Sequence, residues 1–100
     1  MAIIQEILSI ETHRPIEFIN LDEKIQRVIA ASGIQIGQVL VFSRHTTTAL
    51  VVNEDEERLL VDIEAYLRKL APETDTYLHN DLHLRDVPDD EPINAHSHLM

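Results

Sequence analysis

Phe42–Glu57 reads FSRHTTTALVVNEDEE, in which one basic pair and three threonines separate two apolar runs, and a block of carboxylates follows. β-Branched and aliphatic residues fill both runs, so IGQVLVFSRH (36–45) and TTTALVVN (46–53) each predict a strand, with Thr46 and Thr47 marking a bend or bulge between them. On this reading Val39–Ser43 is core. The chain leaves that core at His45, which taken alone reads as structural ahead of functional; the functional reading has it present its imidazole and the Thr46 and Thr47 hydroxyls to a cleft. From about Glu54 the period changes, and Leu59, Leu60, Ile63, Leu67 and Leu70 form a helical stripe with Glu64 and Arg68 paired four apart on the outer face. This helix ends near Pro72. Its acidic start opposes the positive end of the helix dipole, and its free backbone N–H groups suit a phosphate.

Working outward, AIIQEILSIET (2–12) predicts a strand with both faces partly apolar, and RPIEFIN (14–20) continues the extended run. NLDEKIQRVIAASG (20–33) predicts a helix. Asn20 is placed as its cap, with Glu23 three residues on, an apolar stripe at Leu21, Ile25, Val28 and Ile29, and Gly33 as the stop. Beyond Pro72, TDTYLHND (74–81) predicts a short strand and LHLRDVPDDEP (82–92) a polar loop. Pro92 fits the first turn of a final helix, with Asp90 or Glu91 placed to cap it. In a helix His96 and His98 would lie about 200° apart and only one could face a site; in a strand both could.

The 100 residues make a single domain, 1–100, small enough that burial against partner subunits would add stability. The chain carries a formal charge of −10, and its eight Lys and Arg residues are scattered along it without a cluster. Nucleic acid and anionic membranes, which need clustered cations, are therefore disfavoured as partners. No apolar run approaches the ~20 residues that span a bilayer, and the N-terminus lacks the pattern of a signal peptide, so a soluble, cytoplasmic protein is expected. Cysteine is absent, which leaves histidine and carboxylate as the strong metal ligands.

Six histidines fall on different kinds of element. His13, beside Arg14 and Pro15, reads as an exposed turn residue. His45 ends an apolar run among hydroxyls. His79 precedes Asn80 and Asp81, which could orient its ring as neighbours orient a metal ligand or a general base. With His83, His96 and His98 following closely, a metal or phosphate site is a serious reading, although no spacing here is a zinc motif.

The ordered series HTTTALVVNEDEERLLVDIEAYLRKLAP, YLHND and EPINAHSHLM resembles the YjbQ-like family, also called the secondary thiamine-phosphate synthase family. The resemblance implies an α+β fold: a largely antiparallel β-sandwich with flanking helices, assembled as a homotrimer with sites near subunit boundaries. It implies metal ligation by His45, His79 and His98 and favours Asn53, Glu54, Asp62 and Asp81. Family members continue past HSHLM into final strands bearing a Gly-Thr-Trp-Gln stretch, so sheet and site are expected to be incomplete at the C-terminus.

Three functional classes follow. The first is an enzyme that joins a pyrimidine pyrophosphate to a thiazole phosphate with loss of pyrophosphate, a reaction that a His-bound divalent ion, zinc by its ligands, would assist. In this reading Glu54 and Asp81 are catalytic, Thr46, Thr47, Asn53 and Asn80 bind a phosphorylated small-molecule substrate, and His45, His79 and His98 hold the metal. The second is a metal-dependent hydrolase with Glu54 or Asp81 as general base. The third is a non-catalytic, metal- or ligand-binding trimer.

Overall fold

The stripe of Leu21, Ile25, Val28 and Ile29 forms helix α1, Asp22–Ser32, in the structure, a computed structural model that describes residues 2–100. Leu21 takes the cap position, and Asn20 works from one residue further out, its Oδ1 accepting from the Asp22 N–H at 2.8 Å. Asp22 and Glu23 sit in the first turn, where their charges oppose the helix dipole. Gly33 ends the helix at φ 71°, a left-handed conformation that glycine adopts without a Cβ penalty. The Ser32 hydroxyl seals that end, donating to the Ile29 carbonyl at 2.6 Å and accepting from the Ile34 N–H at 3.1 Å.

The second helix, α2, spans Glu57–Leu70. Glu56 caps it, with its carboxylate accepting from the Leu59 N–H at 2.5 Å, and Arg68 and Lys69 lie in the last turn, where cations suit the dipole. The expected Glu64–Arg68 pair forms at 3.9 Å. Two three-residue 3-10 turns follow, Leu78–Asn80 and Leu82–Leu84, and then a five-residue helix, α3, Ala95–Leu99. The chain divides into two compact units, Met1–Val41 and Phe42–Met100. Helix α1 lies in the first, where Ile7, Leu8 and Ser9 share a recess with Lys24, Arg27 and Val28. The remaining elements lie in the second, and α3 packs on the turn that carries His79.

The α+β, antiparallel β-sandwich expectation is overturned: among the described residues there is no strand and no sheet. The stretches 2–12, 14–20, 36–45 and 46–53 are irregular, and 74–81 runs from a turn into the first 3-10 turn. Val39–Ser43 is not core either, since Leu40 is 90% and Phe42 75% exposed. The physical reason lies in the difference between local preference and pairing. β-Branched residues favour extended φ/ψ, but a strand exists only when a partner takes its N–H and C=O groups. The tight hairpin that would pair 36–45 with 46–53 needs positive φ at its turn, and Gly33 is the only described residue with positive φ. Thr46 and Thr47, both β-branched, bend the chain without adopting it.

The last segment is corrected as well. Pro92 lies outside α3, and Asn94 rather than Asp90 or Glu91 holds the cap position. Among the described residues the buried apolar side chains are Ala71 and Ala95, at 2% and 3% exposure, and larger apolar groups are mostly exposed. No helix among them is long and apolar enough to cross a membrane.

Candidate functional site

His79 and His98 meet edge to face, with ring centroids 4.9 Å apart and planes at 74°. His79 sits on the first 3-10 turn and His98 on α3, so a contact spanning nineteen positions is made by two elements of three and five residues. Ala95 allows it, because its small side chain, almost fully buried, lets α3 sit closely on the turn. Tyr77, Leu78, Ala95 and Leu99 join the two histidines around a recess of about 370 Å³. The walls are mostly apolar, with two imidazoles and the Tyr77 side chain as the residues that carry polar groups.

Three side-chain atoms in this region are buried and make no hydrogen bond: His79 Nε2, Asn94 Oδ1 and His96 Nδ1. Leaving one such group unsatisfied costs about 1–3 kcal/mol. The His79 atom is the informative one, because an imidazole nitrogen without a hydrogen-bond partner is also a free ligand for a cation. Two imidazoles on one tetrahedral zinc, with Zn–N bonds of ~2 Å, have ring centroids roughly 5 Å apart. The observed spacing fits that requirement, and neutral nitrogen donors suit zinc. Among the described residues no group of three His, Cys, Asp or Glu side chains is placed to share one ion.

The other expected residues occupy two further places in the same unit. His45, Thr46 and Thr47 are exposed on a turn and do not line the recess. That turn is held by side chains: the His45 N–H donates to Ser43 Oγ at a long 3.5 Å, and Thr48 Oγ1 donates to the His45 carbonyl at 2.9 Å. The Ser43 and Thr48 hydroxyls hydrogen-bond each other, which closes a ring through the backbone of His45. With the one Thr48 proton committed to the carbonyl, Ser43 is the donor in that link. Thr48 is thus the threonine that orders His45, and the alternation of serine and threonine around a bend is the sequence signal for it.

Asn53 and Glu54 lie on the exposed approach to α2, where Asn53 Oδ1 accepts from the Glu54 N–H at 2.8 Å. Neither lines the recess. Asp62 is exposed on α2. Asp81 is half-buried and links the two 3-10 turns, its N–H bonding Leu78 and its carbonyl accepting from Leu84. Asn80, also half-buried, accepts from the Ala95 N–H through Oδ1 at 3.2 Å. His13 is an exposed bend neighbour whose N–H donates to Glu17 at 2.7 Å.

Two residues around the recess escaped the sequence reading. Arg85, within the stretch read as a polar loop, donates from Nη1 to the His79 carbonyl at 2.8 Å and lies 3.7 Å from Glu91 through Nη2. Tyr77 donates its phenol to the Pro72 carbonyl at 2.7 Å. Desolvation, and then the negative charge of Asp75, raise its pKa above the ordinary 10.0.

Comparison with known proteins gives one consistent relationship. The family model described as UPF0047 protein YjbQ-like matches residues 6–100. A UPF0047 protein of Methanothermobacter thermautotrophicus is 40% identical over 93 residues, covering 87% of this chain and 65% of its own. A UPF0047 protein of Archaeoglobus fulgidus is 39% identical over 75 residues, 75% of this chain and 57% of its own. The UPF0047 protein sll1880 of Synechocystis sp. is 36% identical over 86 residues, 84% of this chain and 58% of its own. The chain thus spans less than two thirds of the length of these curated relatives. No solved structure matches it significantly.

Proposed function

The chain belongs to the YjbQ-like UPF0047 family, and from that premise we propose that it binds a divalent ion, zinc, through His79 and His98 and uses the recess beside them for small-molecule chemistry. The observation that carries this reading is His79 Nε2, buried without a partner while the His98 ring stands 4.9 Å away by centroid. The family resemblance implies His45 as a third imidazole; the described residues of one chain place no third ligand on the pair, so His45 would have to be brought from its exposed turn on assembly or metal binding. The reaction is the one that resemblance names, joining a pyrimidine pyrophosphate to a thiazole phosphate with loss of pyrophosphate.

Charge supports the need for an ion. A chain at −10 has no net attraction for a diphosphate, and the histidines are the recess's own ionisable polar groups apart from Tyr77. A divalent ion, when bound, would stabilise the negative charge that develops on a leaving pyrophosphate. The residues of the chain do the rest: His79 and His98 hold the ion, and Leu78, Ala95 and Leu99 limit water on the apolar side. The unit that works is a homotrimer in a cytoplasmic setting, and large exposed apolar side chains such as Ile36 and Val52 favour association.

Zinc titration of the full chain, with light scattering on the same sample, tests the reading. Near-stoichiometric zinc, a trimer mass, and an affinity falling on the order of tenfold or more in His79→Ala, His98→Ala and His45→Ala are expected, followed by formation of thiamine phosphate by the loaded protein. Unchanged zinc affinity in His79→Ala would sink the metal site, and a persistent monomer would sink the assembly.

A further inference from the structure

We propose that Arg85 and Asn80 are positioning residues for the histidine pair, setting the His79–His98 spacing from outside the recess. Neither lines the cavity. The inference rests on reading that recess as the functional site, but its readout is the ring geometry alone.

The pair is built on elements too short to persist by themselves. A single 3-10 turn and a five-residue helix each gain little from their own hydrogen bonds, since nucleating a helix fixes several residues for one bond. Their relative placement must therefore come from ties between them. Asn80 supplies the direct tie, its Oδ1 accepting from the first N–H of α3, at Ala95, across fifteen positions. Arg85 supplies the indirect one. Its Nη1 holds the main-chain carbonyl of His79 at 2.8 Å, which fixes the backbone from which that imidazole projects. Its Nη2 faces Glu91 at 3.7 Å, in the segment that leads into α3.

Burial separates this ion pair from the one on α1. Arg85 and Glu91 are 28% and 26% exposed, whereas Arg27 and Glu23 on α1 are 75% and 79% exposed and so contribute little. A guanidinium is also the group for the task, because its rigid fork reaches a carbonyl and a carboxylate at once and a lysine offers no such plane. The bond from Asn80 leaves its amide oxygen engaged with α3, so the proposal gives Asn80 a role other than contact with substrate.

The test uses the full, metal-free chain and the nuclear Overhauser effects between the ring protons of His79 and His98. They are expected in the wild type, in Asn80→Asp, which keeps the acceptor oxygen, and in Arg68→Met, which breaks only the Glu64 pair on α2. In Asn80→Ala and in Arg85→Met they should weaken, as the docking equilibrium shifts about fivefold toward the undocked form, the change that one net hydrogen bond of this kind produces. Far-UV circular dichroism reports whether α2 persists in each variant. If Arg85→Met loses that signal, the Asn80→Ala and Asn80→Asp comparison carries the decision. Unchanged effects in Asn80→Ala and in a folded Arg85→Met, their absence from the wild type, or an equal fall in Arg68→Met would each overturn the inference. Titration with zinc alone keeps the two readings apart: a wild type that ignores zinc, with the Overhauser effects weakened in Asn80→Ala and retained in Asn80→Asp, refutes the metal site and supports the positioning role.

Discussion

Replacing Thr48 by valine should loosen the turn that presents His45 while leaving the rest of the chain unchanged. Valine keeps the β-branched shape, so local preference for extended backbone is preserved and the hydroxyl alone is lost. That hydroxyl makes two bonds, donating to the His45 carbonyl at 2.9 Å and pairing with Ser43. Each net neutral hydrogen bond is worth about 0.5–1.5 kcal/mol, and this ring is exposed, so water replaces part of what is lost. A total near 1 kcal/mol is expected, about a fivefold shift toward open turns. Amide hydrogen exchange at His45 reads that shift directly, because its N–H closes the ring on Ser43. Ser43→Ala should speed the same amide by a similar factor, and the double variant should add little to either. Exchange at His45 within experimental error of wild type in Thr48→Val would refute the ring as an ordering device. If His45 is a zinc ligand, affinity should fall by the same several-fold factor with the His79–His98 ring pair intact.

Two further outcomes follow from the local geometry. Glu56→Ala removes the acceptor of the Leu59 N–H and should cost α2 about 1 kcal/mol, seen as faster amide exchange at Leu59 and reduced helicity; unchanged exchange would show that water caps this end equally well. In a Tyr66→Phe background, the tyrosinate absorbance of Tyr77 should titrate with a midpoint above 10.0, and a midpoint at or below it would remove the assigned causes. Since the folded-state pKa is the raised one, the protonated phenol favours the fold. That contribution is present below 10.0 and is lost as pH rises through the folded value, so Tyr77→Phe should flatten the alkaline loss of stability.

What the sequence disclosed was mostly short in range. Helix α1 follows from its apolar stripe and from Gly33, whose left-handed φ ends it, and α2 follows from leucines at helical spacing and from Pro72 just past its end. These signals act within a few residues and need no partner. Extended structure is different, because Val39–Phe42 and Ala49–Val52 carry strand-like composition but a ladder depends on a second segment. Composition pointed to strands and the family resemblance to a sandwich, and the described residues form neither. The histidine pair was legible only through that resemblance, since a separation of nineteen positions matches no ligand spacing. Arg85 gave no signal at all: a single cation among loop residues reads as solvated until the carbonyl it holds is seen.

The choice of imidazoles in so acidic a chain has a chemical consequence for the proposed site. Eighteen carboxylates are available, yet none lines the recess. Carboxylate ligands would cancel the charge of a divalent ion as they bound it, whereas neutral imidazoles leave that charge largely intact for an anionic substrate. The surrounding carboxylates then act at longer range, where solvent and salt screen them, and their main effect is to attract cations to the protein. A recess walled largely by leucine and alanine would strengthen the contrast by limiting water around a bound ion. On this argument replacing His98 with aspartate should retain a divalent ion better than alanine does, yet bind pyrophosphate more weakly than the wild type at equal metal occupancy. Calorimetric titration of the zinc-loaded proteins with pyrophosphate measures that difference, and equal affinity in the two would show that the neutrality of the ligands is not what the site uses.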